Sequence, residues 1–286
     1  MFFLITVILA LICTSLYVYY EQFLQSGIIY WSIPLIILGF ILAIIIFVVI
    51  VLYIITLFIR PDKQLARPRR FNRFMIKIMA EFLVGLFGLK LVVKGIEKVP
   101  TDKQFLFVGN HQSNFDPIVA VWALRKFNVA YIMKNAIMRV PLLGRWLYGS
   151  GFLPLDRKND RKALETIVIA TKRISENRHP IGVYPEGTRS KSPKMREFRN
   201  GVFKIAQKAE CPIVVAIIDN TYRVKWRFPF LKTKILFEVV EVLDYEEFKD
   251  LSTNDLGDQV HKMMEDRLAL RRKELSWLKE EKNTEF

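Results

Sequence analysis

The chain has 286 residues, of which 52% are hydrophobic, and its formal net charge is +15. This length suits one medium-sized domain with an appendage. The charge alone would suggest a nucleic-acid partner, but many basic residues adjoin apolar segments, which favours anionic membrane lipid instead, and we expect no nucleic acid to bind.

Two uncharged segments occupy the N-terminus, at residues 1–20 and 28–59. Each is long enough to cross a bilayer, which requires about 20 apolar helical residues. We predict that residues 1–59 form a membrane hairpin of two helices. A cleaved signal peptide followed by one span, or a hairpin lying in one leaflet, remain alternatives.

A basic segment follows the second apolar run, with six Lys or Arg residues opposed only by Asp62 between Arg60 and Arg73. The preceding turn, residues 21–27, contains no Lys or Arg. Because positive flanks stay in the cytoplasm, we predict an integral membrane protein whose C-terminal part is cytoplasmic. Cys13 and Cys211 fall in different parts, so we expect no disulfide.

Residues 60–95 are predicted to form a basic collar and an amphipathic interfacial helix, the helix covering residues 71–91. Residues 96–286 then alternate short apolar runs with helical patterns, which indicates an α/β domain with a mainly parallel sheet flanked by helices. Helices are predicted over residues 160–177 and 254–282. The strand candidates are residues 105–108, 129–133, 152–155, 181–184, 213–218 and 235–242.

The segment 110–116 follows the first of these strands and contains His111 and Asp116. A histidine held by a carboxylate through one ring nitrogen can accept a hydroxyl proton on the other. Asp116 precedes Pro117, so capping of a helix is a competing role for its side chain. No G-x-S-x-G elbow accompanies Ser113, and the histidines lack the spacing of zinc ligands, so we expect neither a serine nucleophile nor a metal.

Two further loops at strand ends carry arginines, Arg189 after Glu186 and Gly187, and Arg157 after Asp156. The planar guanidinium suits phosphate oxygens, and glycine permits a tight turn. Surface salt bridges are the alternative role for both arginines. In open α/β sheets ligands collect at the carboxyl ends of strands, so one shared site is the economical interpretation.

The stretch 222–230 interleaves cations with aromatic side chains. Such amphipathic stretches are typical of an interface with anionic lipid, where each cation contributes about 1 kcal/mol. A solvated face or a buried strand with exposed cationic ends would give the same pattern.

With these motifs in order, the chain resembles the lysophospholipid acyltransferase family over about residues 91–218, most closely the 1-acylglycerol-3-phosphate acyltransferases. Residues 110–116 match the pattern Asn-His-x-Ser-x-x-Asp, and residues 151–157 resemble the second motif. Residues 184–190 resemble the third, with Tyr184 where Phe is usual. Residues 211–215 resemble the fourth, with Val215 where a second Pro is frequent.

The resemblance implies a glycerolipid acyltransferase-like fold and an O-acyltransferase that makes phosphatidic acid from lysophosphatidate and an acyl thioester. His111 would be the general base and Asp116 its orienting carboxylate. The donor would be acyl-CoA or acyl carrier protein, with no other cofactor. The residues implied in acceptor binding are Lys134, Arg157, Glu186, Gly187, Thr188 and Arg189.

Other readings remain open at this point. They are an acyltransferase or transacylase for another lysophospholipid, a thioester hydrolase, and a non-catalytic membrane protein that binds lipid.

Overall fold

The computed structural model describes residues 2–23, 33–59, 68–141, 143–156, 159–229 and 231–278. The chain divides into two compact units, Met1–Arg60 and Pro61–Phe286. Most of the predicted basic collar, residues 60–67, lies outside the described residues.

The first unit contains two helices that contact each other, α1 (Phe2–Phe23) and α2 (Ile33–Leu57). Among the described residues, α2 is the one helix that combines the length and apolarity needed to cross a membrane. The apolar part of α1, Val7–Gln22, is shorter. The prediction of two N-terminal apolar helices is therefore confirmed, whereas spanning capacity is found for the second.

The second unit is an α/β domain. Its strands are β1 (Leu89–Lys94), β2 (Leu106–Gly109), β3 (Ala130–Lys134), β4 (Leu153–Leu155), β5 (Ile181–Val183), β6 (Ile213–Asp219) and β7 (Thr233–Leu243). Its α-helices are α3 (Arg70–Leu86), α4 (Asp116–Ala123), α5 (Asn135–Met138), α6 (Leu143–Gly149), α7 (Asp160–Ser175), α8 (Lys204–Ala209), α9 (Val224–Arg227), α10 (Tyr245–Phe248) and α11 (Thr253–Glu274).

The seven strands form one sheet in the order β1-β7-β6-β2-β5-β3-β4. Strands β2 to β6 are mutually parallel, β7 pairs antiparallel with β6, and β1 pairs parallel with β7. β2 and β6 are buried along their whole length, which explains their unbroken apolar runs. The predicted mainly parallel α/β sheet is confirmed, and the carboxyl ends of β2 to β6 share one edge.

All six strand candidates correspond to observed strands, but β1 was not predicted. The amphipathic helix predicted over residues 71–91 is too long, because α3 ends at Leu86 and the chain then enters β1. Gly88 separates the two elements with φ +60°, a left-handed conformation that favours glycine. The alternating Leu89, Leu91 and Val93 therefore belong to a strand rather than to the helix.

The two other helix predictions are confirmed with shorter ends. The side chain of Asn159 caps α7 by accepting from Lys162 N, and Ser252 caps α11 by accepting from Asp255 N. α11 ends at Glu274, and residues 279–282 of the predicted tail helix lie outside the described residues.

The cation-and-aromatic stretch contains a short helix, α9, and not the buried strand that was one alternative. The Trp226 side chain is 79% exposed, and Lys225 Nζ lies 5.0 Å from the centre of its ring. This geometry agrees with either an interfacial or a solvated surface.

Candidate active site

His111 follows the carboxyl end of β2, which lies between β6 and β5. Asn110 secures the chain there, because its amide donates to Ile218 O at 2.9 Å and accepts from Ile218 N at 2.7 Å. The Asn110 side chain thus continues the pairing between β2 and β6 after the strand ends. The first residue of the loop that carries His111 is consequently held in place by two hydrogen bonds to β6.

The imidazole and the carboxylate predicted to act together are in contact, with His111 Nδ1 2.7 Å from Asp116 Oδ2. Ser113 N also donates to Oδ2 at 2.7 Å, and the Thr221 hydroxyl donates to Oδ1. Asp116 is fully buried, so these donors replace the water that the carboxylate loses. Because Nδ1 faces the carboxylate, Nε2 is the nitrogen left for a substrate proton.

The competing role of Asp116 as a helix cap is wrong. Asp116 is the first residue of α4, the N-cap position is held by Phe115, and no side chain caps that end of the helix. The Asp116 carboxylate instead turns back toward residues 111 and 113, because the intervening loop reverses direction with Phe115 N bonded to Ser113 Oγ at 3.0 Å.

Behind Asp116 a series of side chains extends to the C-terminal helix. Thr221 Oγ1 lies 3.4 Å from Gln112 Oε1, and Gln112 donates to Asp219 Oδ1 at 2.8 Å. Asp219 Oδ2 in turn accepts from Arg272 Nε at 2.7 Å. Since a hydroxyl has one proton and the contact to Asp116 is the shorter, Thr221 donates to the carboxylate.

Glu186 supports the backbone of this loop rather than contacting the imidazole. Its Oε1 accepts from His111 N at 2.5 Å, and its Oε2 accepts from Arg196 N at 2.9 Å. Burial raises the pKa of Glu186 to about 7, although these two amide hydrogen bonds act in the opposite direction. The carboxyl group therefore links the loop after β5 to the loop after β2.

Main-chain hydrogen bonds hold the same two loops together, from Ser190 N to His111 O at 2.8 Å and from Lys191 N to Gln112 O at 3.1 Å. Gly187 lies in the turn that follows β5 and has φ +68°. A Cβ at this position would lie 3.0 Å from Arg199 Cδ. The predicted tight glycine turn is confirmed.

The residues after this glycine are accessible. Thr188 is exposed and Arg189 is partly exposed. The Arg189 guanidinium makes no hydrogen bond or ion pair with any residue that the structure describes, so the surface salt bridge considered from the sequence is absent there. The bond from Ser190 N to His111 O places the Arg189 backbone next to the imidazole loop.

An aromatic stack lies beside the imidazole. The ring centres of His111 and Tyr184 are 4.7 Å apart at an interplanar angle of 25°, and Tyr131 also stacks on Tyr184, with ring centres 5.9 Å apart. Both tyrosine hydroxyls are buried without a hydrogen-bond acceptor or donor. Burial raises the pKa of Tyr184, and it stays protonated.

Two further residues were predicted for the site, Lys134 and Arg157. Lys134 is the exposed last residue of β3, at the same sheet edge as His111 but two strands away, which corresponds to about 10 Å across the sheet. Arg157 lies outside the described residues, although β4 ends two residues earlier at the same edge. The structure thus joins His111, Asp116 and Glu186 directly.

The residues that sequence reasoning missed are Thr221, Gln112 and Asp219. Thr221 is 105 positions from Asp116 in the chain, and the parallel pairing of β6 with β2, which sets the carboxyl ends of the two strands side by side, brings it close. A polar segment directly after a fully buried strand, as at residues 219–221, is the signal that could have identified it.

The arrangement supplies a base with one free nitrogen, a buried carboxylate that orients it, and an accessible guanidinium nearby. It suits the removal of a proton from a hydroxyl on an anionic molecule. Within the described residues, no cluster of three or more His, Cys, Asp or Glu side chains could hold a metal ion.

Comparison with known proteins adds a family assignment. Residues 90–219 match the family model described as Acyltransferase. The 1-acyl-sn-glycerol-3-phosphate acyltransferase of Haemophilus influenzae is 28% identical over 65% of this chain and 78% of its own length. The enzyme of the same name from Borreliella burgdorferi is 27% identical over 68% of this chain and 80% of its own length.

A solved structure shares the fold. The 1-acyl-sn-glycerophosphate (LPA) acyltransferase PlsC from Thermotoga maritima superimposes with a TM-score of 0.59, and the match covers 70% of this chain and 79% of that one. The two sequences are 22% identical, so the likeness concerns the arrangement of sheet and helices.

Proposed function

We infer that this chain, which belongs to the lysophospholipid acyltransferase family, transfers an acyl group from a thioester to the free hydroxyl of 1-acylglycerol-3-phosphate and forms phosphatidic acid. The observation that carries the catalytic part is the 2.7 Å contact between His111 Nδ1 and the buried Asp116 carboxylate. The acceptor is inferred from the relatives, whose names specify this substrate.

In the proposed mechanism, His111 Nε2 takes the proton of the acceptor hydroxyl while Nδ1–H donates to Asp116. The oxygen attacks the thioester carbonyl, and the tetrahedral intermediate collapses to an ester and a thiolate. The thiolate then takes the proton from the imidazolium, which restores the neutral base. The donors around Asp116 hold its carboxylate where it stabilises the imidazolium between these steps.

Arg189 is proposed to bind the phosphate of the acceptor. Its guanidinium is accessible, lacks an ionic neighbour among the described residues and follows the turn at Gly187. Thr188 adds an exposed hydroxyl to the same turn. Lys134, the last residue of β3, and Arg157, two positions after β4 in the sequence, are proposed to add positive charge for either anionic substrate.

The same proposal places the protein in a membrane through the apolar helix α2, with the domain at the cytoplasmic face. The basic segment directly after α2 supports this orientation, because basic flanks are retained on the cytoplasmic side. An acceptor and a product that reside in the bilayer then reach the site from the membrane surface.

The test is an acyl-transfer assay of the full chain in detergent. Two labelled donors, acyl-CoA and acylated acyl carrier protein, are tested separately. Each is incubated with lysophosphatidate, with lysophosphatidylcholine or without an acceptor. We expect phosphatidic acid as the main product. Arg189→Gln should lower kcat/KM for lysophosphatidate by about 100-fold, mainly through KM, because a charge-assisted fork is lost.

Arg189→Lys is the matched variant, since it keeps the charge but not the planar fork, and it should recover part of this loss. Free fatty acid released at the same rate without acceptor would instead identify a thioester hydrolase. Equal transfer to lysophosphatidylcholine, unaffected by Arg189→Gln, would contradict the phosphate-binding role.

A further inference from the structure

A second basic site lies in a pocket of about 320 Å³, counting the open space at its mouth. The pocket is formed by α3, by the chain between α4 and β3, and by the chain that leads into β4. Its polar lining includes Arg73, Lys77, Arg125 and Ser150, and its floor includes Leu124 and Phe152.

The cations of this pocket form no ion pair with a carboxylate among the residues that the structure describes. Arg73 Nε and Nη2 are buried without an acceptor, and Lys77 makes no hydrogen bond or ion pair there. Arg125 donates to the Trp122 carbonyl at 3.0 Å and lies over the Trp122 ring. Ser150, 2% exposed, also has a hydroxyl without a hydrogen-bond partner.

This pattern is costly for a pocket that stays empty, because a buried guanidinium that lacks an acceptor loses its hydration without replacement. Burial lowers the pKa of Arg73 to about 10, with a further contribution from Arg173. The pKa of Lys77 is also lowered, first by burial and then by Arg73 and Arg125. Arg73 and Lys77 therefore both lie beside other cations, and a bound anion would offset this repulsion.

The pocket opens beside an apolar surface. On α3, Phe74 precedes Lys77 by three positions, so the two side chains are neighbours on the helix. Phe71, Phe74 and Leu86 are 49%, 55% and 51% exposed along the outer face of the same helix. Exposed large apolar side chains beside a basic pocket are typical of a helix that lies in the headgroup region of a bilayer.

The pocket is separate from the proposed active site. It lies next to Arg125, which follows the last turn of α4, whereas Asp116 begins that helix, and eight helical residues span about 12 Å. It also borders Val129 and Phe152, which precede β3 and β4, whereas the active-site loops follow the other ends of the parallel strands. The two sites thus occupy opposite edges of the sheet.

We propose that this pocket binds the phosphate of an anionic phospholipid that is not a substrate, while the apolar face of α3 contacts the acyl region. Arg73 and Lys77 provide the charge, and the Ser150 hydroxyl provides a donor to a phosphate oxygen. The lipid then holds the domain at a fixed height and orientation on the membrane surface. This binding goes beyond the acyl transfer proposed above and does not require it.

The test measures the Tm of the full chain in maltoside micelles that contain either phosphatidylglycerol or phosphatidylcholine with the same acyl chains. For the wild type we expect phosphatidylglycerol to raise the Tm by about 5 °C more than phosphatidylcholine does. Arg73→Gln and Lys77→Gln should each lose most of this difference. Without anionic lipid, Arg73→Gln should be at least as stable as the wild type, because an uncompensated charge is removed.

Two control variants test whether the loss of the response is specific to the cations of the pocket. Lys262→Gln removes an exposed cation on α11, and Arg189→Gln removes the cation of the proposed substrate site. Both should retain the full response to phosphatidylglycerol. Lys77 is only partly buried, so its variant remains informative if Arg73→Gln fails to fold.

Three results would overturn the proposal. The first is an undiminished response in both pocket variants, and the second is loss of the response in Arg189→Gln, which would assign it to the active site. The third is an equal Tm rise with millimolar inorganic phosphate at constant ionic strength, which would make the ligand a soluble anion.

Discussion

At the carboxyl edge of the sheet, the Asp116 carboxylate is fully buried and accepts hydrogen bonds from an imidazole, a backbone amide and a hydroxyl. At the opposite edge, the Arg73 guanidinium is partly buried and has two nitrogens without an acceptor. Both groups lose hydration, but only the first receives replacement contacts from the protein itself.

The difference indicates whether each group of residues needs a bound ligand to complete its polar contacts. The group around Asp116 is complete, so its geometry exists before a substrate binds, as a preorganised base needs. The pocket around Arg73 is incomplete, so it gains most from a bound anion. Variants of the groups around Asp116 should therefore disrupt contacts within the protein, whereas variants of Arg73 and Lys77 should act mainly on the response to a bound anion.

Among the groups that support His111, the Asp116 carboxylate should give the largest effect when it is replaced. Asp116→Asn replaces an acceptor-only group by one that also donates, so His111 loses its fixed orientation and the stabilisation of its cation. We expect kcat to fall by about 1,000-fold with little change in KM. Asp250→Asn, at an exposed carboxylate, is the matched control and should retain wild-type kinetics.

The pH dependence of stability tests the role of Glu186, which accepts hydrogen bonds from the loop that carries His111. Burial raises the pKa of Glu186 from its ordinary 4.5 to about 7. A raised carboxyl pKa contributes stability that is present below about pH 4.5 and is lost as the pH rises through 7, which amounts to roughly 3 kcal/mol. The free energy of unfolding of the wild type should therefore fall between pH 5 and pH 8 relative to that of Glu186→Gln.

The same variant should lower activity at every pH. The glutamine amide can accept from only one of the two backbone donors, His111 N and Arg196 N, so one of these two hydrogen bonds is lost. A parallel pH dependence of unfolding in the two proteins would show that Glu186 does not titrate in this range.

Replacing Thr221 tests how much one hydrogen bond to the Asp116 carboxylate contributes to catalysis. Thr221→Val removes the hydroxyl that donates to Asp116 Oδ1 and keeps the shape of the side chain. We expect about a 10-fold loss of kcat with KM unchanged, equivalent to one hydrogen bond to a charged group. Thr221→Ser restores the hydroxyl and should recover most of the rate, which a purely structural role would not require.

The smallest effect is expected at the hydroxyl of Tyr184, whose ring stacks on the His111 imidazole. Tyr184 OH is buried without a hydrogen-bond partner, so Tyr184→Phe removes a polar group that gains nothing from its position. The ring stack on His111 remains, and kcat should stay within about twofold. The Tm should stay equal or rise, whereas a large loss of rate would assign the hydroxyl a contact with substrate.

The fold was largely predictable because buried parallel strands produce unbroken apolar runs. β2 and β6 are fully buried and were identified directly from the sequence. β1 was missed because its alternating residues continue the apolar pattern of α3, and only Gly88 marks the boundary. Local periodicity could not separate two elements joined by only two residues, Phe87 and Gly88.

The site was predictable where its residues are close in the chain. His111 and Asp116 are five positions apart, and the turn formers between them indicated that the loop could fold back. Thr221 was not predictable in this way, because its contact with Asp116 depends on the order of β2 and β6 in the sheet. The unsatisfied cations near Arg73 likewise result from packing, since the sequence does not show which charges lack neighbours.

The most direct test of the central claim is the initial rate of acyl transfer to lysophosphatidate by His111→Ala, measured on protein whose Tm equals that of the wild type. If Nε2 of His111 removes the hydroxyl proton, kcat/KM should fall by about 1,000-fold or more. A rate within tenfold of the wild type would contradict His111 as the base and, with it, the mechanism proposed for this edge of the sheet.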